Sequence, residues 1–218
     1  MGVDRFFSVA DHEAVEAAVR EAEATTSGEI VPYAVGRSDD YREAPWTAAL
    51  LGALLAAAAA AALVELGDLW LAAPALWTAA AAAVGGAAGY GAAALLDPLA
   101  RLLVTRSAME AAVERRARAA FVDRQVFATR ERTGILLFLS LFERRVVVLA
   151  DAGIDARVAQ GEWDEIASGI AAGIRAGRPG EAVAQGIRAC GVLLANAGVT
   201  RRADDRDELG DELRAEEK

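Results

Sequence analysis

Nineteen consecutive residues from Trp46 to Val64 carry no charge, and neither do the 28 from Leu69 to Leu96. As helices they would measure about 28 Å and about 42 Å, against a bilayer hydrocarbon thickness of about 30 Å. The first run contains seven alanines in a row, 56–62. Between the runs, Glu65-Leu66-Gly67-Asp68 has the composition of a tight turn in water. Trp46, Trp70 and Trp77 stand close to the segment ends and Tyr90 toward the far end, where interfacial aromatics belong. The glycines of "GGAAGYG", 85–91, allow two helices to approach closely. The competing reading is a pair of buried helices in a soluble all-α protein, but a chain of 218 residues offers little core in which to hide two such runs. The expectation is a helical hairpin across a lipid bilayer.

Charge supplies the orientation. The turn has no basic residue, whereas Arg37 and Arg42 precede the hairpin and Arg101, Arg106, Arg115 and Arg116 follow it. The positive-inside rule then predicts both polar ends in the cytoplasm, at an inner membrane, with the turn facing outward. Arg101 and Arg106 are also placed to meet anionic headgroups. The start of the chain, "MGVDRFFSVADHEAVEAAVREAE", lacks the basic and apolar regions of a signal peptide. A formal net charge of −9 argues against a nucleic-acid partner, since phosphates require a basic face. Cys190 is the single cysteine and lies in an apolar helical pattern, as a small core residue would.

The polar regions mix two periods. Ser8 and Asp11 form a helix-start signal, and Val15, Ala18, Val19 and Ala22 repeat at helical spacing over about 9–25. After Gly28, Val31, Tyr33 and Val35 alternate as in a strand, with Pro32 demanding an edge or an unpaired amide. A helix carrying Met109, Val113, Ala117 and Phe121 follows the hairpin. Residues 132–151 then give two apolar strands around "FERR", the first apolar enough to be buried on both faces. Trp163, Ile166, Ile170 and Ile174 line one further helix and Val183, Ile187, Cys190 and Leu194 another, with a break at "RPG" and a stop at Gly198. From Thr200 the chain has 13 charged residues in 19, the composition of a solvated tail. The expected division is 1–45 and 97–199 as two parts of one α/β domain, 46–96 as the membrane hairpin, and 200–218 as a disordered extension.

The stretches "EAEATTSGEIVPYAV", "RTGILLFLSLFERRVVVLADAGIDARV" and "WDEIASGIAAGIRAGRPGEAVAQGIRACGVLLA" resemble the TPM domain family, over about residues 8–36 and 105–197. The resemblance is to bacterial members that carry a transmembrane hairpin between the first strand and the second long helix. It implies a three-layer α/β/α sandwich, here interrupted by the hairpin. It also implies divergent roles: acid phosphatase activity for some relatives, calcium binding for others, and accessory or assembly work on membrane complexes for others again.

The candidate chemistry is acidic. Asp151 and Asp155 flank Gly153 after the third strand, and Glu29 opens the first; together they are the candidate ligands for Ca²⁺ or Mg²⁺, which take hard oxygen donors. The alternative is structural, with Asp155 capping the next helix, Glu162, Asp164 and Glu165 enriching a first helical turn, and Glu29 paired with an arginine. Arg132, Arg144 and Arg145 could meet a phosphoryl group, although arginines near hairpin turns usually face solvent. His12, the only histidine, has no serine and acid arranged around it as a base would need. The function expected is therefore a membrane-anchored accessory, assembly or interaction factor with a divalent cation, its partners being the lipid bilayer and membrane protein complexes. The alternative is a metal-dependent phosphatase acting on phosphomonoesters. A pore or transporter subunit is disfavoured, because neither apolar helix has an ionisable residue with which to line a pathway.

Overall fold

The computed structural model describes residues 2–67, 72–201 and 209–216. It divides the chain into two compact units, one of Met1–Asp39 with Glu110–Lys218, the other of Asp40–Met109.

The first unit begins with a short helix, α1 (Val3–Phe6), and with α2 (Val9–Glu23). The Ser8 side chain accepts the Asp11 N–H at 3.2 Å, and the Asp11 carboxylate accepts the Ser8 N–H at 2.8 Å. This reciprocal cap starts α2 where the sequence places it. Strand β1 (Glu29–Val35) follows; β2 (Gly134–Ser140) and β3 (Arg145–Ala150) come from the far side of the apolar block. β1 and β2 run parallel, from Glu29 opposite Gly134 to Val35 opposite Ser140, and β3 returns antiparallel, with Ala150 opposite Ile135. The three strands fall where the alternation after Gly28 and the apolar runs within 132–151 place them, and α2 ends two residues before the expected limit near 25.

Side-chain alternation divides the sheet into two cores. Ile30 and Ala34 join Ile135, Leu137, Leu139 and Val148 on one face, against Val15 and Val19 of α2, Trp163 and Ile170 of α8 (Gln160–Arg175), and Val183, Ile187 and Leu194 of α9 (Pro179–Asn196). On the other face Val31, Tyr33, Val35, Leu136 and Phe138 meet Val113, Ala117 and Ala120 of α6 (Arg106–Asp123). The result is the expected α/β/α sandwich. Every residue of β2 is buried, which is why its sequence is apolar without alternation. Each fully buried Leu or Ile there contributes about 2 kcal/mol.

The sheet has a fourth strand, β4 (Arg214–Glu216), and its order is β3-β2-β1-β4. This corrects the expectation of a solvated tail for residues 209–216. β4 pairs in parallel with Tyr33–Val35, Leu213 is buried in the first core, and Leu209 packs on the second. Two leucines among so many charges leave no period to read. The remainder of the tail, 202–208 and 217–218, lies outside the described residues, as does Trp70.

β4 also accounts for Pro32. Glu29 donates its N–H to Thr133 O at 3.1 Å, toward β2, so the even-numbered residues of β1 direct theirs to the opposite side. There the Ile30 N–H goes to Glu23 Oε1 at 2.8 Å and the Gly36 N–H to Glu216 O at 3.0 Å. Pro32 falls on that side just short of β4, where among the described residues no partner strand needs a donor.

The second unit holds α3 (Glu43–Leu66), α4 (Pro74–Leu95) and α5 (Asp97–Leu103). Only 6% of the apolar window of α3, and 6% of that of α4, is buried, which overturns the buried-pair reading of these runs. Both helices are long and apolar enough to cross a membrane. They meet through small residues: Gly52 lies against Gly85, and Gly89 against Ala48, so closely that a Cβ at any of these glycines would strike backbone of the facing helix. Trp46 and Tyr90 touch edge to face at 5.1 Å.

Candidate functional site

The acidic residues singled out by sequence sit at one end of the sheet, where β1 and β2 begin and β3 ends. Asp151 donates its N–H to Gly134 O at 2.9 Å, and Glu29 faces Gly134 from the other strand. Glu29 and Asp151 therefore flank β2, both buried. Asp155 does not join them; it closes the one-turn helix α7 (Ala152–Asp155) and is exposed.

The Asp151 carboxylate is fully engaged. Arg132 Nε donates to Oδ2 at 2.6 Å and Nη2 to Oδ1 at 2.9 Å, a two-pronged pair, while Oδ1 also accepts the Ala152 N–H at 2.7 Å. The helix cap is thus Asp151 and not Asp155. Hydrogen bonding to Asp151 and its negative charge raise the Arg132 pKa above its ordinary value. Glu29 Oε2 accepts the Leu209 N–H at 3.3 Å, which ties the strand entrance to the tail. Gly153 donates to Arg132 O at 2.9 Å, and a Cβ on it would lie 2.6 Å from that same oxygen. Calcium takes six to eight oxygen ligands and magnesium near-octahedral ones. As arranged, these three carboxylates do not form a ligand set, and among the described residues no group of three or more His, Cys, Asp or Glu converges on a common point. Glu162 caps α8, accepting the Ala159 N–H at 3.2 Å.

The sequence offers Arg132 as a cation for a phosphoryl group or as a solvent-facing residue, and its pairing with Asp151 is not legible there. Its partner lies 19 positions away and its backbone is left-handed, φ +58°, a conformation no local motif announces.

The opposite end of the sheet carries a polar cluster that the sequence does not advertise. Ser38 follows β1, Ser140 ends β2, and Glu143 lies in the β2–β3 turn. The Ser38 N–H donates to Glu143 Oε1 at 3.0 Å, the Ser140 hydroxyl donates to Glu143 Oε2, and the two serine oxygens are 2.7 Å apart. Ser140 and Glu143 are buried. The cluster stitches the exit of β1 to the hairpin turn, a structural use of a buried carboxylate that demands full hydrogen bonding.

Tyr33 anchors the third polar cluster. Its hydroxyl donates to Glu216 and accepts from Arg124 Nη2 at 3.2 Å, and Arg116 Nη2 lies 2.6 Å from Glu216 Oε1. Burial first, and then the hydrogen bond to Glu216, push the Tyr33 pKa up; the Tyr33 hydroxyl, followed by the charges of Arg116 and Arg124, pulls that of Glu216 down. His12 Nδ1 lies 2.9 Å from Ser8 O. Cys190 is fully buried and its thiol pKa is pushed up to about 12, so it is a core residue and not a nucleophile.

No curated protein matches the chain. Among solved structures, the fold is similar to the NMR structure of the BA42 protein from the psychrophilic bacterium Bizionia argentinensis sp. nov., with a TM-score of 0.60, 18% identity, and 98% of each chain covered. Within the sequence, residues 100–193, from α5 into α9, match the family described as the TPM domain.

Proposed function

We propose that the chain is a membrane-anchored accessory or interaction protein, in which a TPM-like α/β/α domain is held at a bilayer by the α3–α4 hairpin. The observation that carries this reading is the exposure of the hairpin. Leu50, Leu54, Leu55 and Leu63 of α3 and Leu76, Trp77 and Val84 of α4 are each at least 58% exposed, which in water would be a standing aggregation surface and in lipid is the ordinary state. The Trp46–Tyr90 pair suits one interfacial belt and Trp77 the other. The arginine distribution supports cytoplasmic placement of both polar ends at an inner membrane. Partners would then be the bilayer itself and membrane protein complexes.

The test is extraction and labelling of the full chain in bacterial membranes. The protein should stay in the pellet after alkaline carbonate washing. With Cys190 replaced by alanine, a Gly67→Cys variant should react with an impermeant maleimide from outside the cell, and an Ala172→Cys variant only after lysis. Release by carbonate would remove the anchor reading, and labelling of Ala172→Cys in intact cells would reverse the orientation.

A further inference from the structure

One opening onto the sheet lies beside the β2–β3 turn. A cavity of 330 Å³ lies between that turn and the last turns of α8, within the range of small-ligand sites. Its position is the C-terminal end of β2, the side of an open α/β sheet where ligands are commonly received. Phe6, Leu141, Val146 and Ile174 make its floor apolar. An adjoining depression of 430 Å³ adds Ser168 and Asp164. Three guanidinium groups, Arg144, Arg145 and Arg175, line both.

In a chain of net charge −9 this concentration of positive charge is distinctive, and most of it is uncommitted. Arg145 is shared with Glu110 at 2.6 Å, but among the described residues Arg144 and Arg175 take part in no ion pair. The one acid at the rim, Asp164, accepts a hydrogen bond from Gln160 Nε2 at 3.1 Å. Arg144 adopts the left-handed conformation, φ +54°, at a turn position that glycine or asparagine would fill without strain. The backbone thus bears about 1 kcal/mol or more of local strain to present an arginine there.

We infer that this groove binds a small amphiphilic oxyanion, with a phosphate or carboxylate head between Arg144 and Arg175 and a short alkyl or aryl group on the Phe6–Leu141–Val146–Ile174 floor. Planar guanidinium forks match such heads in two-pronged fashion. The head could belong to a soluble metabolite or to a lipid, and the chemistry of recognition is the same. The inference stands independently of the membrane reading.

The experiment is titration of the full chain, purified in a maltoside detergent, with hexyl phosphate, inorganic phosphate and hexanol, followed by calorimetry and by methyl NMR of Leu141, Val146 and Ile174. Hexyl phosphate should bind saturably, at least tenfold tighter than either half alone, and should shift those methyls. Arg144→Gln with Arg175→Gln should weaken it at least tenfold, and Ala171→Phe, which fills the cavity without changing charge, should do the same. All three side chains are at least partly accessible, so folding should persist and is checked by circular dichroism. Repeating the titration in nanodiscs separates the sources: loss of hexyl phosphate binding when phosphatidic acid is added to phosphatidylcholine assigns the head to a lipid, and unchanged binding assigns it to a soluble anion. Absence of saturable binding would overturn the inference. So would inorganic phosphate binding as tightly as hexyl phosphate, or affinity that survives the double arginine substitution.

Discussion

Arg132 grips Asp151 through both oxygens, at 2.6 and 2.9 Å, from a backbone position held in the left-handed region, and Asp151 in turn starts α7. The carboxylate is 4% exposed, so the pair fixes the entrance to β2 and the exit from β3 in one contact.

This pairing makes a prediction about cations. A divalent ion reaching Asp151 has to displace Arg132, so Arg132→Gln should increase the Ca²⁺ or Mg²⁺ response of the Asp151 amide at least tenfold over the natural chain. A natural chain that binds more tightly than the variant would restore Asp151, Asp155 and Glu29 as ligands. Asp151→Ala should lower stability by about 1 kcal/mol from the lost cap alone.

Glycine substitutions should separate by environment. Gly153→Ala drives a methyl into the Glu131 and Arg132 carbonyls, and Gly134→Ala drives one into the Val126 carbonyl, so each should cost about 1–3 kcal/mol. Gly169 lies in α8, exposed and with nothing near its Cβ direction, and Gly169→Ala should instead gain about 1 kcal/mol. Thermal melts of the three variants check the order, and a neutral Gly134→Ala would contradict the close packing of β2 on Val126.

Docking of the tail should depend on pH. The Tyr33 hydroxyl and then Arg116 and Arg124 hold Glu216 below the ordinary carboxyl range. A group whose pKa is lower folded than unfolded contributes stability that is complete above the unfolded value and is lost as the pH falls through the folded one. β4 should therefore be fully docked at neutral pH and loosen below about pH 4. Protection of the Gly36 amide, which donates to Glu216 O, reports this directly. Glu216→Gln should lower that protection at neutral pH and flatten its pH dependence; equal protection in variant and natural chain would show that the carboxylate is not the clasp.

The hairpin packing can be locked covalently. A Cβ built at Gly86 lies 3.4 Å from Ala53 Cβ, close to disulfide geometry, so Ala53→Cys with Gly86→Cys should oxidise readily within one chain. Adding Gly52→Leu should abolish the cross-link by forcing α3 and α4 apart. Persistence of the cross-link in the triple variant would place the helix contact elsewhere.

The regular elements were legible because each declares itself within a dozen residues. The Ser8–Asp11 cap, the alternation of Val31, Tyr33 and Val35, the continuous apolar run of β2 and the uncharged lengths of α3 and α4 are local signals with local physical causes. The resemblance supplied the layer order and the interrupted connection. β4 escaped because a three-residue strand needs only pairing with β1 and two leucine anchors, neither of which makes a period.

What the sequence determined by itself is the inventory: a split α/β domain, two membrane-length helices, an acidic chain, and a cysteine fated for the core. Tertiary structure decided the chemistry. It turned Asp151 toward Arg132, sent Asp155 to the surface, buried Glu143 between two serines, and brought Arg175 of α8 to Arg144 of the hairpin turn. Arg132 and Asp151 are 19 residues apart and Ser38 and Glu143 are 105 apart, and only the closing of the sheet and its helices sets which of these groups meet.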